Sequence, residues 1–212
     1  NHLSINEDTR RNLQEYAKKV GYQRNQVSLN LLNTKTASIG VIVPTINNYY
    51  ESAIIEGIDA VLQPLGYTLN ICVTNERYLL ESAYITKLLS NRVEGIFLSV
   101  SQETYDFGHY EHLENMAKQN LPLIFIDRDY EGFCAGSVTI DDYDGAFAAV
   151  QHLINTGRRR IAHLKGPNGM AVTEQRFKGY AECLKKYGLP VDESIIINTN
   201  FKVESALEPT AQ

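Results

Sequence analysis

Apolar residues fall along this chain in two alternating patterns. Short unbroken runs cover residues 37–44, 68–74, 95–99, 121–126, 137–140 and 160–164, and a further strand-like run covers 195–198. Runs of this length, rich in β-branched residues, suit strands buried on both faces. Ile39 to Val43, stopped by Pro44, is the clearest of them. Between the runs, residues 49–65, 79–91, 113–119, 144–156 and 174–187 read as helices. Strands alternating with helices of this length predict parallel sheets covered on both faces. One further helix precedes the first strand. Ser4 and Glu7 have capping-box spacing, Leu13, Tyr16, Ala17 and Val20 repeat at helical intervals, and Gly21 can end the helix. A polar, basic segment then runs directly into the first strand.

In sheets of this kind ligands sit beyond the carboxyl ends of the strands. That rule selects residues 45–50, 74–76, 99–101, 127–128, 141–142 and 165–172. Their side chains suit a hydroxylated ligand: Asn and Asp offer paired donors and acceptors, Arg a bidentate fork, and Tyr50 a flat face for a sugar ring. Each also has a plainer role open to it. Asn48 can cap the following helix, Asp141 and Asp142 fit a turn and cap, and Asp127 and Arg128 can pair with each other. Arg176 lies early in its helix, where the helix dipole disfavours a cation, so an anionic or polyhydroxyl partner is expected.

Charge changes the picture once it is divided along the chain. Residues 1–36 hold six basic and three acidic side chains, a balance of +3, which leaves −8 on the remainder of a chain whose net charge is −5. A basic end on an acidic body fits phosphate contact at that end, and also an ordinary solvated helix. The 212 residues, 43% hydrophobic, suffice for one or two cores. No apolar run approaches a membrane span. Cys72, Cys134 and Cys183 are scattered without metal spacing and read as reduced thiols of a cytoplasmic protein. Dinucleotide, P-loop, zincin and nucleophile-elbow motifs are lacking, so no enzyme, cofactor or metal is expected. His109 and His112, with Glu111 and Glu114, read as an exposed polar segment rather than a metal site.

Several quoted stretches together carry a family resemblance. Ser4-Ile5-Asn6, Thr9-Arg10, Leu13, Ala17, Val20-Gly21-Tyr22 and Asn25 are followed by Ile39-Gly40-Val41-Ile42-Val43-Pro44. Gly66-Tyr67, Arg92-Val93-Glu94-Gly95-Ile96, Ile126-Asp127-Arg128, Gly166-Pro167 and Arg176 with Gly179-Tyr180 continue in register. The whole resembles the lactose-repressor family of bacterial transcription regulators. The resemblance implies an α/β, periplasmic-binding-protein-like fold of two subdomains, preceded by the last helix and hinge of a helix-turn-helix headpiece. It divides the chain into a headpiece remnant at 1–36, an effector-binding N-subdomain at 37–141 and a partial C-subdomain at 142–212. The recognition helix would lie ahead of Asn1, and the second subdomain would continue past Gln212.

The same resemblance assigns effector contacts to Asn48, Tyr50, Asn75, Ser99, Ser101, Asp127, Arg128 and Arg176, the last within an R-x-x-G-[YFW] motif. It assigns DNA contacts to the hinge at Arg24, Asn25, Ser28 and Leu31, with Leu31 as the wedge between base pairs. Arg24 stands where relatives have Pro, Ser28 where they have Ala, and Leu29 where they have Arg. After Asn48, Tyr49-Tyr50-Glu51 replaces Pro-Phe-Phe, which implies a more polar effector. The expected protein is a homodimeric repressor of operator DNA, governed by a sugar or sugar derivative bound between two lobes. The alternative is a periplasmic-type solute-binding protein, which would carry a secretory signal instead of a basic helix and hinge.

Overall fold

The apolar run of β1 (Ser38–Val43) becomes an interior strand of a parallel sheet because both of its faces find cover. The computed structural model describes residues 6–22, 36–130, 132 and 135–210. Within them β1 is flanked by β2 (Thr68–Val73) on one side and β3 (Gly95–Leu98) on the other. Beyond β3 lie β4 (Leu123–Ile126) and β5 (Gly136–Val138), giving the order β2-β1-β3-β4-β5, all parallel. Parallel neighbours need crossovers, and helices supply them. After α1 (Glu7–Lys19) of the N-terminal segment these are α2 (Tyr49–Leu62), α3 (Tyr78–Ser90), α4 (Gln102–Phe107) and α5 (Glu111–Ala117). One sheet face packs Ile42, Ile96, Leu98 and Phe125 against Ile85, Leu88, Leu113 and Met116. The other packs Val41, Val43 and Ile126 against Ile54, Ile55 and Ile58 of α2.

A second layer follows β5. Helices α6 (Asp142–Asn155) and α7 (Ala171–Lys186) cover a two-stranded parallel sheet of β6 (His163–Lys165) and β7 (Ile196–Asn198), and α8 (Val203–Thr210) closes the described chain. Its core is Val150, Ile154, Ile161, Tyr180, Cys183 and Leu184. Helices α6 and α7 approach closely: a Cβ on Gly179 would meet the Tyr143 carbonyl oxygen at 2.3 Å. Gly40 does the same between β1 and α3, where a Cβ would lie 2.6 Å from Leu88 Cδ1.

Contacts divide the chain into residues 1–36 and 37–212. In the first unit α1 begins two residues later than the sequence implied. Asn6 is the cap: its Oδ1 accepts a 3.0 Å bond from the Asp8 amide, so Glu7 is the first helical residue rather than the third position after a cap. Ser4 lies outside the described residues, as do the hinge positions Arg24, Asn25, Ser28 and Leu31, and Cys134. Gly21, in the left-handed region, ends the helix as expected. Leu13, Tyr16 and Val20 are exposed.

Three other expectations are corrected. Helices α4 and α8 were not foreseen. Helix α7 starts at Ala171 rather than at residue 174, because burial of Val172 and Thr173 outweighs their β-branched preference. His112 is not part of an exposed segment: it turns inward, with Nε2 2.7 Å from Oε1 of the fully buried Glu81. Cys72 is half-buried and Cys183 buried, both free. Among the described residues no helix is long and apolar enough to cross a membrane.

Candidate functional site

The chain leaves β1 towards β2 on one side and later returns to β3 on the other. Loops at such a reversal diverge and open a crevice at the strand carboxyl ends. The residues just past those ends are held in unusual ways. Asn75, Glu76 and Asp127 all adopt positive φ without being glycine, conformations that persist only where surrounding bonds fix them. Glu76 is fixed by Arg128, whose Nη1 lies 2.8 and 2.9 Å from its two carboxylate oxygens, and by the Gln102 amide at 2.9 Å. Arg128 also stands 3.6 Å from Asp127 and 5.6 Å above the Phe201 ring. Burial works against its charge, but Glu76 and then Asp127 outweigh this and raise its pKa.

A cavity of about 350 Å³ opens beside this group, bounded by Asn48, Tyr50, Glu51, Asp127, Arg128, Ile140, Val172, Arg176 and Phe201. It adjoins a hollow of about 480 Å³ that shares Asp127, Ile140 and Val172 and adds Asp129, Asp141, Asp142 and Gln175. These sizes suit a small ligand. Asn48 caps α2, its Oδ1 accepting from the Glu51 amide at 3.0 Å, and lines the cavity as well. Tyr50 bonds Asp127, and burial together with that carboxylate pushes its phenol up to about 12. Burial also raises Asp127 above the ordinary carboxylate range, although Arg128 opposes the shift. Arg176 reaches back from α7 to Asp142 on α6, Nε to Oδ1 at 2.6 Å. Asp142 therefore balances its charge. Asp141 is a helix cap, accepting from the Asp144 amide at 2.8 Å.

The structure thus gathers Asn48, Tyr50, Asp127, Arg128 and Arg176 around one cavity. Asn75 borders a different hollow, of about 240 Å³, with Glu76, Gln102, Asn200 and Lys202. Ser99 and Ser101 are buried behind the wall and appear in neither lining. Ser101 donates its hydroxyl to Thr74 at 2.7 Å and its amide to Glu81 at 2.6 Å, and Thr104 joins the same carboxylate at 2.7 Å. Ser99 Oγ has no partner among the described residues. Three lining residues were not among the assigned effector contacts. Glu51 follows Tyr50 and sits inside the first turn of α2, where charge normally faces water. Asp142 was among the strand-end candidates, with a cap as its plainer role, and received no contact from the resemblance. Phe201 follows β7 in a segment with no distinctive pattern.

A parallel sheet joined to a second α/β layer, with a cavity at their strand ends, is the architecture of two-lobed proteins that hold small ligands in such crevices. The family model described as periplasmic binding proteins and sugar binding domain of LacI family matches residues 36–206, and the chain belongs to that family. The HTH-type transcriptional regulator DegA of Bacillus subtilis (strain 168) is 28% identical over 204 residues, which are 96% of this chain and 60% of that protein. The ribose operon repressor of the same strain is 30% identical over 202 residues, 95% of this chain and 58% of that protein. Among solved structures, a periplasmic binding protein/LacI transcriptional regulator from Alkaliphilus metalliredigens QYMF complexed with D-xylulofuranose aligns at a TM-score of 0.64. It is 28% identical and covers 79% of this chain and 59% of that one. The chain spans about 60% of the length of the curated relatives it matches.

Proposed function

We propose that the chain is the sensing part of a DNA-binding transcriptional repressor, and that a sugar or sugar derivative binds in the cavity between its two lobes. One observation carries the choice over a periplasmic solute-binding protein. The similarity to DegA covers 204 of the 212 residues, so it must run well into the segment ahead of residue 36, where the binding-domain match begins. That segment holds the basic helix α1. A solute-binding protein has no use for a repressor's linker there.

On this reading Arg176, Asp127 and Asn48 grip ring hydroxyls and Tyr50 offers its ring face. Arg128 stays engaged with Glu76 and shapes the wall. Ser99, Ser101 and Asn75 act from the loops behind. The hinge residues Arg24, Asn25, Ser28 and Leu31 contact operator DNA, and the protein works in the cytoplasm without catalysing a reaction. A homodimer is part of the proposal: β2 is a sheet edge, and Ile71 on it and Val61 and Leu65 shortly before it are exposed, a face suited to a second copy. Sedimentation of the full-length protein should therefore give a dimer. The main test is operator affinity of that protein, selected from random DNA, across a sugar and purine panel. A sugar that shifts the affinity supports the reading, a purine that does so overturns the sugar, and indifference to every effector overturns the regulator.

A further inference from the structure

The charges around the cavity do not suit an anionic guest. Five carboxylates, on Glu51, Asp127, Asp129, Asp141 and Asp142, line it and the adjoining hollow, against the guanidiniums of Arg128 and Arg176. Both guanidiniums are already neutralised, Arg128 by Glu76 at 2.8 Å and Arg176 by Asp142 at 2.6 Å. An incoming carboxylate or phosphate would meet an excess of negative charge and two cations whose charge is already balanced. A metal ion is not the answer to that excess, because among the described residues no three His, Cys, Asp or Glu side chains converge to hold one.

Glu51 points to what the site lacks. It is only 5% exposed, it lines the cavity, and its Oε2 has no hydrogen-bond partner among the described residues. A buried acceptor left unpaired is costly, the more so when it is charged. Burial accordingly raises its affinity for a proton, and Asp127 nearby adds to the effect. A ligand hydroxyl would give Glu51 a hydrogen bond but no charge. An ammonium gives both, and charge-assisted bonds in a partly dry cavity are the stronger kind.

We infer that the effector carries a cationic nitrogen, an amino sugar in its ammonium form being the class that fits, with the ammonium seated between Glu51 and Asp127. The ring hydroxyls then fall to Arg176 and Asn48. This rests on the reading of the cavity as a sugar-effector site and narrows it.

Calorimetry on the full-length protein tests it with glucosamine, galactosamine and mannosamine. Each is compared with its hydroxyl parent, its N-acetyl form and its uronic acid. At least one amine should bind about tenfold or more tightly than its parent and its N-acetyl form, the gain expected when a neutral bond becomes an ionic one. Glu51→Gln should bring that ratio close to one, with circular dichroism checking the fold. Asp142→Asn, which removes the carboxylate that neutralises Arg176, should shift preference towards the uronic acid and gives a second reading should the first variant not fold. A parent sugar or uronate that binds as tightly as the amine overturns the cationic guest but leaves the sugar reading standing. An unchanged ratio in folded Glu51→Gln does the same. Failure of every sugar to bind overturns the sugar reading, and this inference with it.

Discussion

At the scale of single residues, Glu51 and Arg176 are opposite cases of a charge held at the cavity wall. Glu51 has an oxygen without a partner among the described residues, and burial raises its pKa from the ordinary 4.5. The folded state therefore favours the protonated form. The stability this group gives is complete below about pH 4 and is lost as pH rises through its raised value. Glu51→Gln should consequently melt above the wild type at neutral pH by a few degrees, for about 1 kcal/mol. The gap should close on acidification, and a constant gap from pH 3 to 8 would count against the shift. Arg176 is the paired case. Arg176→Ala should weaken effector binding about tenfold or more, since a charge-assisted bond contributes roughly 1.5–3 kcal/mol. It also leaves Asp142, whose side chain is 9% exposed, without its cation. Stability should fall in Arg176→Ala and recover in the double variant with Asp142→Asn, while binding stays lost in both. Calorimetry beside thermal melts separates the two effects.

At the scale of elements, the closeness of α6 and α7 is the firmest determinant of the second layer. Gly179→Ala drives a Cβ to 2.3 Å from the backbone of Tyr143, which cannot yield as a flexible side chain would. A loss of about 1–3 kcal/mol in urea denaturation is expected. Gly145, in α6, has nothing within 4 Å of its added Cβ, so Gly145→Ala should instead be neutral or stabilise by up to about 1 kcal/mol. Equal effects would show that the two helices are not packed this way. Strands were legible in the sequence because a run such as Ile39–Val43 must be buried on both faces to be stable, whichever helices cover it. Helix limits were less so. The short α4 is held by bonds that no local pattern reveals, the Gln102 amide to Glu76 and the Thr104 hydroxyl to Glu81, residues 26 and 23 positions earlier. The site followed the same division. Position at a strand end located Asn48, Tyr50, Asp127, Arg128 and, with a cap as its alternative, Asp142, while the burial of Glu51 on the wall became visible only in the folded chain. His112 misled for a related reason: its polar neighbours suggested an outer face, and its partner Glu81 lies 31 residues away.

At the scale of the whole molecule, the proposed function assigns sensing and DNA contact to different parts of the chain, so their coupling is the quantity to measure. The hinge assignments make a first, local prediction for the full-length protein. Leu31→Ala should weaken operator binding more than binding to random DNA, because a lost wedge no longer repays the kink. Arg24→Ala should weaken both alike and lower the salt slope by about one if it touches phosphate. An unchanged slope would remove Arg24 from the interface. On the proposed function, the coupling would arise from the cavity lying between lobes. A ligand held by Asn48 and Asp127 on one side and Arg176 on the other favours whichever arrangement brings them together, and it can alter DNA affinity only by its preference for that arrangement. Such couplings are typically about 1–3 kcal/mol, or roughly 5- to 150-fold. Because linkage is reciprocal, saturating operator must change effector affinity by the same factor that saturating effector changes operator affinity. Fluorescence anisotropy of labelled operator and calorimetric titration of effector, each with and without the other ligand, measure the two factors independently. Unequal factors would mean that the ligand competes or aggregates rather than shifting the two-lobed equilibrium, and a factor of one in both would separate the cavity from DNA binding altogether.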